Sequence, residues 1–329
     1  MVSIKPLLEL EKLWKILPQR RKEQREKDVL FCRFAIQKDK QSLQTIGKRY
    51  GITRERVRQI QNQGIFGLRR AAKQTEKLYK NMAQKVKMIG GVMSLETAFK
   101  IFLPKASEEK DKNSLHLLLV ANPFLNYFKE TSANRSFFSY KIKRARVKRE
   151  IQKVIDYFEK MKKAQNLSEA AKKINLEEKR LIEMGKISKN LGLRDKKIGL
   201  YKFPSINPKT TEAKIDLILE KYQKPLHFTE LAKLIVKENI SKKQPTVPTV
   251  HNELIKHNQK YVLIGRGTYA LKKWGYMTGT VKDVIEQIIK ESKKKLTRNE
   301  LIEKIMEQRI VKRNTILLNL AGFKKYLSK

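Results

Sequence analysis

Apolar residues recur at helical spacing along nearly the whole chain, so amphipathic helices are the predicted building unit and a disordered chain is not expected. The first such stretch carries Leu7, Leu8, Leu10, Leu13, Trp14 and Leu17, a short helix with one apolar face. Pro18 follows where a new helix could begin, since proline at a first helical position gives up only an amide that has no partner there. Val29, Leu30, Phe31 and Phe34 mark a helix over 24–34 with one buried side. A polar break at 37–40 ends it, and a tighter pattern starts at Ser42. Farther along, punctuation falls at Gly90-Gly91 and over 104–113, 203–211 and 275–280. The segments between these marks share one order: a long amphipathic helix, shorter helical pieces, then a strand-like pair rich in aromatic residues and glycine. Those pairs lie at 124–128 with 137–140, within 187–203, and at 261–271, and a truncated fourth covers 323–327. A spacing of roughly 60 to 75 residues is a repeat period, and helices closed by a hairpin at that length describe a winged helix-turn-helix.

The predicted fold class is therefore mainly α, an N-terminal helix-turn-helix followed by tandem winged-helix domains with small β-wings. The expected divisions are a helix-turn-helix domain at 1–75, winged-helix units at 76–145 and 146–208, a winged helix at 209–275, and a small helical or winged-helix unit at 276–329.

The densest local signal runs from Leu43 to Ile60. Leu43 and Ile46 share a face, and Gly47 is small where a second helix must come close. Gly51 supplies a position with positive φ that ends a helix at little cost. Thr53 suits the N-cap of the next helix, and Glu55 falls in its first turn beside the positive dipole end. In that helix Val57, Ile60, Gly64 and Leu68 face inward, while Arg54, Glu55, Arg58, Gln59 and Asn62 fall on the exposed side. These are the groups a major-groove reader needs: arginine forks onto guanine, glutamine pairs with adenine, and glutamate accepts from cytosine. A charged exposed face is more commonly a solvated one. Here it also coincides with a tight turn between two short helices and with acidic and amide groups set among arginines.

Thr53-Arg-Glu-Arg-Val-Arg-Gln-Ile60 resembles the recognition helix of region 4 in primary-type bacterial sigma factors, which reads the promoter −35 element. The similarity extends upstream through Leu17-Pro18-Gln-Arg20, Asp28-Val-Leu30 and Arg33-Phe34, and covers about residues 17–71. It implies that Arg54, Glu55 and Gln59 touch base edges, and that Arg56, Arg58, Asn62 and Arg69 meet phosphate or polymerase. Gln61 stands where the family usually has Glu, and Gly64 where it usually has Ala, so the helix is expected to be weaker locally and base preference to differ. The aromatic-rich domain that melts promoter DNA in complete sigma factors is not visible ahead of the match, and stand-alone promoter opening is not expected. A second similarity covers about residues 211–275: Lys224-Pro-Leu-His227-Phe-Thr-Glu-Leu231, Thr249-Val-His251-Asn-Glu-Leu254 and Val262 through Trp274 resemble a HARE winged helix. Such modules occur in the polymerase delta subunit and in chromatin and restriction proteins. Gly265 and Gly267 flank Arg266 at a tight turn, so a wing tip would present an arginine to DNA.

Composition narrows the partner. The chain of 329 residues holds 75 Lys and Arg against 33 Asp and Glu, a net charge of +42. Double-stranded DNA is the expected partner, because each neutralised phosphate releases condensed counterions. A membrane surface is not expected, since the cations are spread along the length rather than set on one amphipathic helix. The longest apolar run, Leu117 to Ala121, is too short to span a bilayer, no signal peptide opens the chain, and a cytoplasmic, nucleoid-associated location is expected. Cys32, the one cysteine, permits no internal disulfide and is expected to be a buried, inert thiol. His227 and His251 have no ligand-spaced neighbours and are expected at a helix start or in the core; no metal, cofactor, small-molecule substrate or catalytic activity is expected. The functional expectation is a sequence-specific, sigma-factor-like transcription regulator on promoter DNA, with direct contact to core RNA polymerase left open. An architectural nucleoid protein and the DNA-specificity subunit of a restriction or modification system are the alternatives.

Overall fold

The computed structural model describes residues 4–17, 21–36, 39–104, 107–240, 243–292 and 296–326. Pro18 and Arg20 of the upstream similarity, positions 37–38 of the polar break and position 327 of the truncated pair lie outside the described residues. The chain divides into two compact units, Met1–Ile206 and Asn207–Lys329.

The first unit opens with four helices, α1 (Pro6–Ile16), α2 (Arg21–Phe34), α3 (Leu43–Tyr50) and α4 (Arg54–Gln74). Then comes α5 (Glu76–Met88), strand β1 (Val92–Ser94), α6 (Leu95–Phe102), α7 (Glu109–Ala121) and a hairpin of β2 (Asn126–Phe128) and β3 (Phe137–Ser139). The same order follows at once: α8 (Arg144–Met161), β4 (Gln165–Asn166), α9 (Leu167–Ile174), α10 (Glu178–Ile187), β5 (Leu191–Arg194) and β6 (Lys197–Leu200). The second unit gives it a third time, with α11 (Thr211–Tyr222), β7 (Leu226–His227), α12 (Phe228–Lys237), α13 (Val247–Lys256), β8 (Tyr261–Gly265) and β9 (Thr268–Leu271). Among the described residues a fourth run has three helices and no named strand, α14 (Val281–Glu291), α15 (Arg298–Gln308) and α16 (Arg313–Leu320). The four runs start at Glu76, Arg144, Thr211 and Val281, about 70 residues apart, within the predicted period.

The three sheets share one topology. In each, the short first strand pairs antiparallel with the last strand of the hairpin, giving the orders β1-β3-β2, β4-β6-β5 and β7-β9-β8. Mainly helical structure with small antiparallel sheets is thus the observed fold class, with the helix-turn-helix at the N-terminal end. The truncated fourth pair is a correction: residues Ala321–Tyr326 form a 3-10 helix, not a strand. A lone strand would leave its amides unpaired, whereas a 3-10 turn pairs them locally, and Phe323 joins the core of α14 to α16.

Burial separates the third helices of these runs. In α7, Ser114, Leu115 and Leu117 to Ala121 are buried, sealed in a core with Leu10 and Leu13 of α1 and Leu68 of α4. In α10, Leu181, Glu183, Met184, Gly185 and Ile187 are buried. The Glu183 carboxylate accepts from the Ser94 amide at 2.7 Å and the Thr97 hydroxyl at 2.5 Å, and pairs with Lys186 at 2.9 Å. A carboxylate from one run therefore sits at the start of α6 in the other, where the helix dipole favours negative charge. The third helices of the last two runs keep open faces, α13 with Val247, Thr249, Asn252, Ile255 and Lys256 exposed and α16 with Arg313, Asn314, Thr315 and Leu318 exposed.

Candidate nucleic-acid interface

The helix-turn-helix is α3, a three-residue turn and α4. Val29 and Cys32 of α2 pack with Ile46, Val57 and Ile60 to form its own small core. The Ser42 hydroxyl accepts from the Thr45 amide at 3.0 Å and the Thr53 hydroxyl from the Arg56 amide at 3.2 Å, so both helices start at a side-chain cap. Gly51 sits in the left-handed region at φ 62°, and the Ile52 amide donates to the Gly47 carbonyl at 3.0 Å. Gly47 is there for contact: a Cβ would lie 2.6 Å from the Ile52 carbonyl oxygen. Gly64 has a similar reason, since a Cβ there would lie 2.8 Å from Cδ1 of Leu30 on α2. What reads in sequence as a weakened helix is the place where α2 and α4 approach closely.

Arg54, Glu55, Arg56, Arg58, Gln59 and Asn62 are all exposed on the first turns of α4. They are not independent. Arg58 donates to both oxygens of Glu55, from Nε at 2.8 Å and Nη2 at 2.6 Å. Arg56 Nη1 donates to Gln59 Oε1 at 3.0 Å. The Arg58 guanidinium holds the Glu55 carboxyl below the usual carboxylate range, so it is ionised at neutral pH. Arg54 and Asn62 have no such side-chain partner among the described residues. The face thus offers a free guanidinium at the helix tip and two pre-paired sets behind it, a layout able to present a fork to one base pair while neighbours hold their rotamers.

Arg69 departs from the expectation that grouped it with these residues. It is only partly exposed, and its Nη2 donates to the carbonyls of Val120 at 3.3 Å and Leu125 at 3.2 Å. Burial lowers its pKa from the ordinary value. Its guanidinium serves the end of α7. Arg266 belongs to the second unit and stands exposed in the turn between β8 and β9, where Gly267 takes φ 65°.

Several residues named in sequence without a contact partner prove to support the site or the second unit. Arg33 of α2 donates to Gln61 Oε1 at 3.3 Å and to the Gln41 carbonyl at 2.6 Å, and burial together with the nearby Arg54 charge lowers its pKa. Asp28 pairs with Arg49 and accepts from the Tyr50 hydroxyl at 2.7 Å, tying α2 to α3. Burial and that hydrogen bond push the Tyr50 phenol up. Cys32 is buried, with Arg49 Nη2 3.6 Å from its sulfur. His227 is the N-cap of α12, accepting from the Thr229 amide at 3.3 Å, and His251 stacks on Phe228 with centroids 4.4 Å apart. His257, not singled out in sequence, lies with Glu212 and Glu253, but Lys260 already pairs with Glu212 at 2.7 Å.

The geometry of α2 to α4 defines the class as a helix-turn-helix DNA-binding domain. Residues 23–70 match the family model described as Sigma-70, region 4, so this segment is similar to a DNA-binding domain of promoter-directed transcription. A search among curated proteins finds no match to the chain. Among the described residues, no helix is long and apolar enough to cross a membrane.

Proposed function

We propose that this chain is a non-catalytic, sequence-specific transcription regulator that reads −35-type promoter DNA through the first turns of α4. The carrying observation is the exposed set Arg54, Glu55, Arg58 and Gln59 on the capped helix of a segment that matches region 4. Arg54, Glu55 and Gln59 are the base readers in this reading, and Arg56, Arg58 and Asn62 meet phosphate or polymerase. A net charge of +42 supplies affinity that does not depend on sequence, and the α4 face supplies preference. Core RNA polymerase is the proposed protein partner, on the strength of the same match, and the working location is the nucleoid.

Residues 211–275 are proposed to be a HARE-type winged helix with Arg266 as the wing-tip contact. The helix, strand, helix, helix, hairpin order and the two-residue turn at Arg266-Gly267 support that reading. The test of the main reading is competition at fixed salt between a −35-bearing duplex and a scrambled one. Arg54→Ala is expected to cost about 1 to 3 kcal/mol on the −35 duplex and to relax preference at one base pair. Equal weakening on both duplexes would refute base reading by this residue and favour an architectural protein that coats DNA.

A further inference from the structure

The run from Lys141 to Arg149 found no role in the reading above. It places Lys141, Lys143, Arg144, Arg146, Lys148 and Arg149 within nine residues at the start of α8, every one of them exposed. The opposite side of the helix is its buried side, with Val147, Ile151, Val154 and Phe158 in the core of the second run. The acidic group next along the helix is already shared: Glu150 accepts from Arg146 at 3.2 Å and from Arg180 at 2.9 and 2.6 Å. Lys143, Arg144, Lys148 and Arg149 have no ion-pair partner among the described residues. Some helix lysines elsewhere do pair with a glutamate one turn away, as Lys80 with Glu76 and Lys100 with Glu96, but none of these four cations does.

This concentration works against the helix that carries it. Lys143 is the N-cap and makes no side-chain cap, and no acidic residue stands in the first turn. Cations at that end oppose the macrodipole, and like charges one turn apart repel. A local arrangement that lowers stability with no internal compensation points to an external one. Meanwhile the third helices α7 and α10, the elements that would enter a groove in a helix-plus-hairpin unit, are buried over their second halves.

We infer that the outer face of α8 is a second DNA surface, one that binds the phosphate backbone of the duplex without reading sequence. It rests on the reading that the chain binds duplex DNA but not on α4 reading bases. Its role is affinity and register, leaving preference to α4.

The test uses the full chain carrying Lys143→Ala, Arg144→Ala, Lys148→Ala and Arg149→Ala together, with binding to −35-bearing and scrambled duplexes measured across a salt series. The slope of log affinity against log salt should fall by about 2 to 4, close to 0.9 per lost phosphate contact, with the preference ratio unchanged. Removing cations from the first turn should leave the melting temperature equal or higher, so weaker binding at unchanged stability is not misfolding. If the fourfold variant fails to fold, Arg144→Gln with Lys148→Gln should lower the slope by about 1 to 2. An unchanged slope with preference intact overturns the α8 surface and leaves base reading standing. A lowered slope in a chain that never preferred the −35 duplex sinks base reading and leaves α8 standing. A lowered slope on single-stranded RNA alone overturns the assignment to DNA.

Discussion

The contact at Gly47 gives the sharpest test of how the turn sets the reading helix. Gly47→Ala adds a Cβ 2.6 Å from the Ile52 carbonyl oxygen, against an ordinary carbon–oxygen contact of about 3.3 Å, so something must move by several tenths of an ångström. The obstacle is backbone, and the same two residues are joined by the Ile52 amide to Gly47 carbonyl bond of 3.0 Å, so relieving the clash stretches the bond that closes the turn. Overpacking of this kind costs about 1 to 3 kcal/mol, and the better helix propensity of alanine returns about 1. Because backbone yields less readily than a side chain, the net is placed at about 1 to 2 kcal/mol of local destabilisation. Gly64→Ala is the matched control. There the Cβ meets Cδ1 of Leu30 at 2.8 Å, the far end of a side chain that can rotate, and gain and cost nearly cancel. The expected effect is local to one of two compact units, so the readout is native-state amide hydrogen exchange on the intact protein. Amides of α3 and the first turn of α4 should exchange about 5 to 30 times faster in Gly47→Ala and within a factor of about 5 of the parent in Gly64→Ala. Equal exchange at both sites would refute the argument that this turn is set by backbone contact.

Three more outcomes follow from named contacts. Gln61→Glu turns the 3.3 Å bond from Arg33 into a charge-assisted one in a half-buried setting, and should stabilise the α2–α4 contact by about 0.5 to 1 kcal/mol, read as slower exchange of the α2 amides; faster exchange would contradict it. His116 lies among Phe34, Tyr127 and Phe138 with its Nε2 buried and unpartnered, and burial, with Lys40 nearby, depresses its pKa to about 4. The unfolded chain takes up that proton below about pH 6.5 and the folded chain only near pH 4, so stability is full above pH 6.5 and falls by up to about 3 kcal/mol as pH drops to 4. His116→Phe should remove that fall, and a melting-temperature profile with the same acid slope in parent and variant would count against it. Arg69→Ala should destabilise the chain by about 1 to 3 kcal/mol through the two carbonyls it serves while leaving the salt slope of DNA binding unchanged; a slope lowered by about 1 would return Arg69 to the phosphate contacts.

Much of this fold is legible because period and punctuation agree. Ser42, Thr53 and Gly51 are local signals whose meaning does not depend on distant residues, and each ends or starts a helix where its chemistry predicts. The hairpins around Tyr261 and Tyr269 are equally local. What could not be read was tertiary use. Nothing in Arg69 itself distinguishes a phosphate contact from a strut to Val120, because the carbonyl it serves is 51 positions away. Gly64 looked like a lapse until α2 lay against it. Glu183 reads as one more surface acid, yet it is buried at the start of a helix 89 positions upstream. The cations at 141–149 stand together in sequence, but charge density alone does not say which of them lack partners.

These distant contacts share a direction. A helix that reads bases must hold its side chains to within a fraction of an ångström, and a 21-residue helix anchored only by α3 would pivot about the turn. The far half of α4 is instead fixed by Leu68, Ala71 and Ala72 in the core that holds α1 and α7, and by Arg69 on the carbonyls of Val120 and Leu125 at and just past the end of α7. An α7 sealed into that core acts as a brace for α4. The same logic extends one run further, because Glu183 locks α10 against the start of α6 and buries the second third-position helix as well. Two runs that share one helix-plus-hairpin order thus act in the first unit as rigid support, and the α8 face proposed above would add phosphate contacts on that support to those proposed for α4.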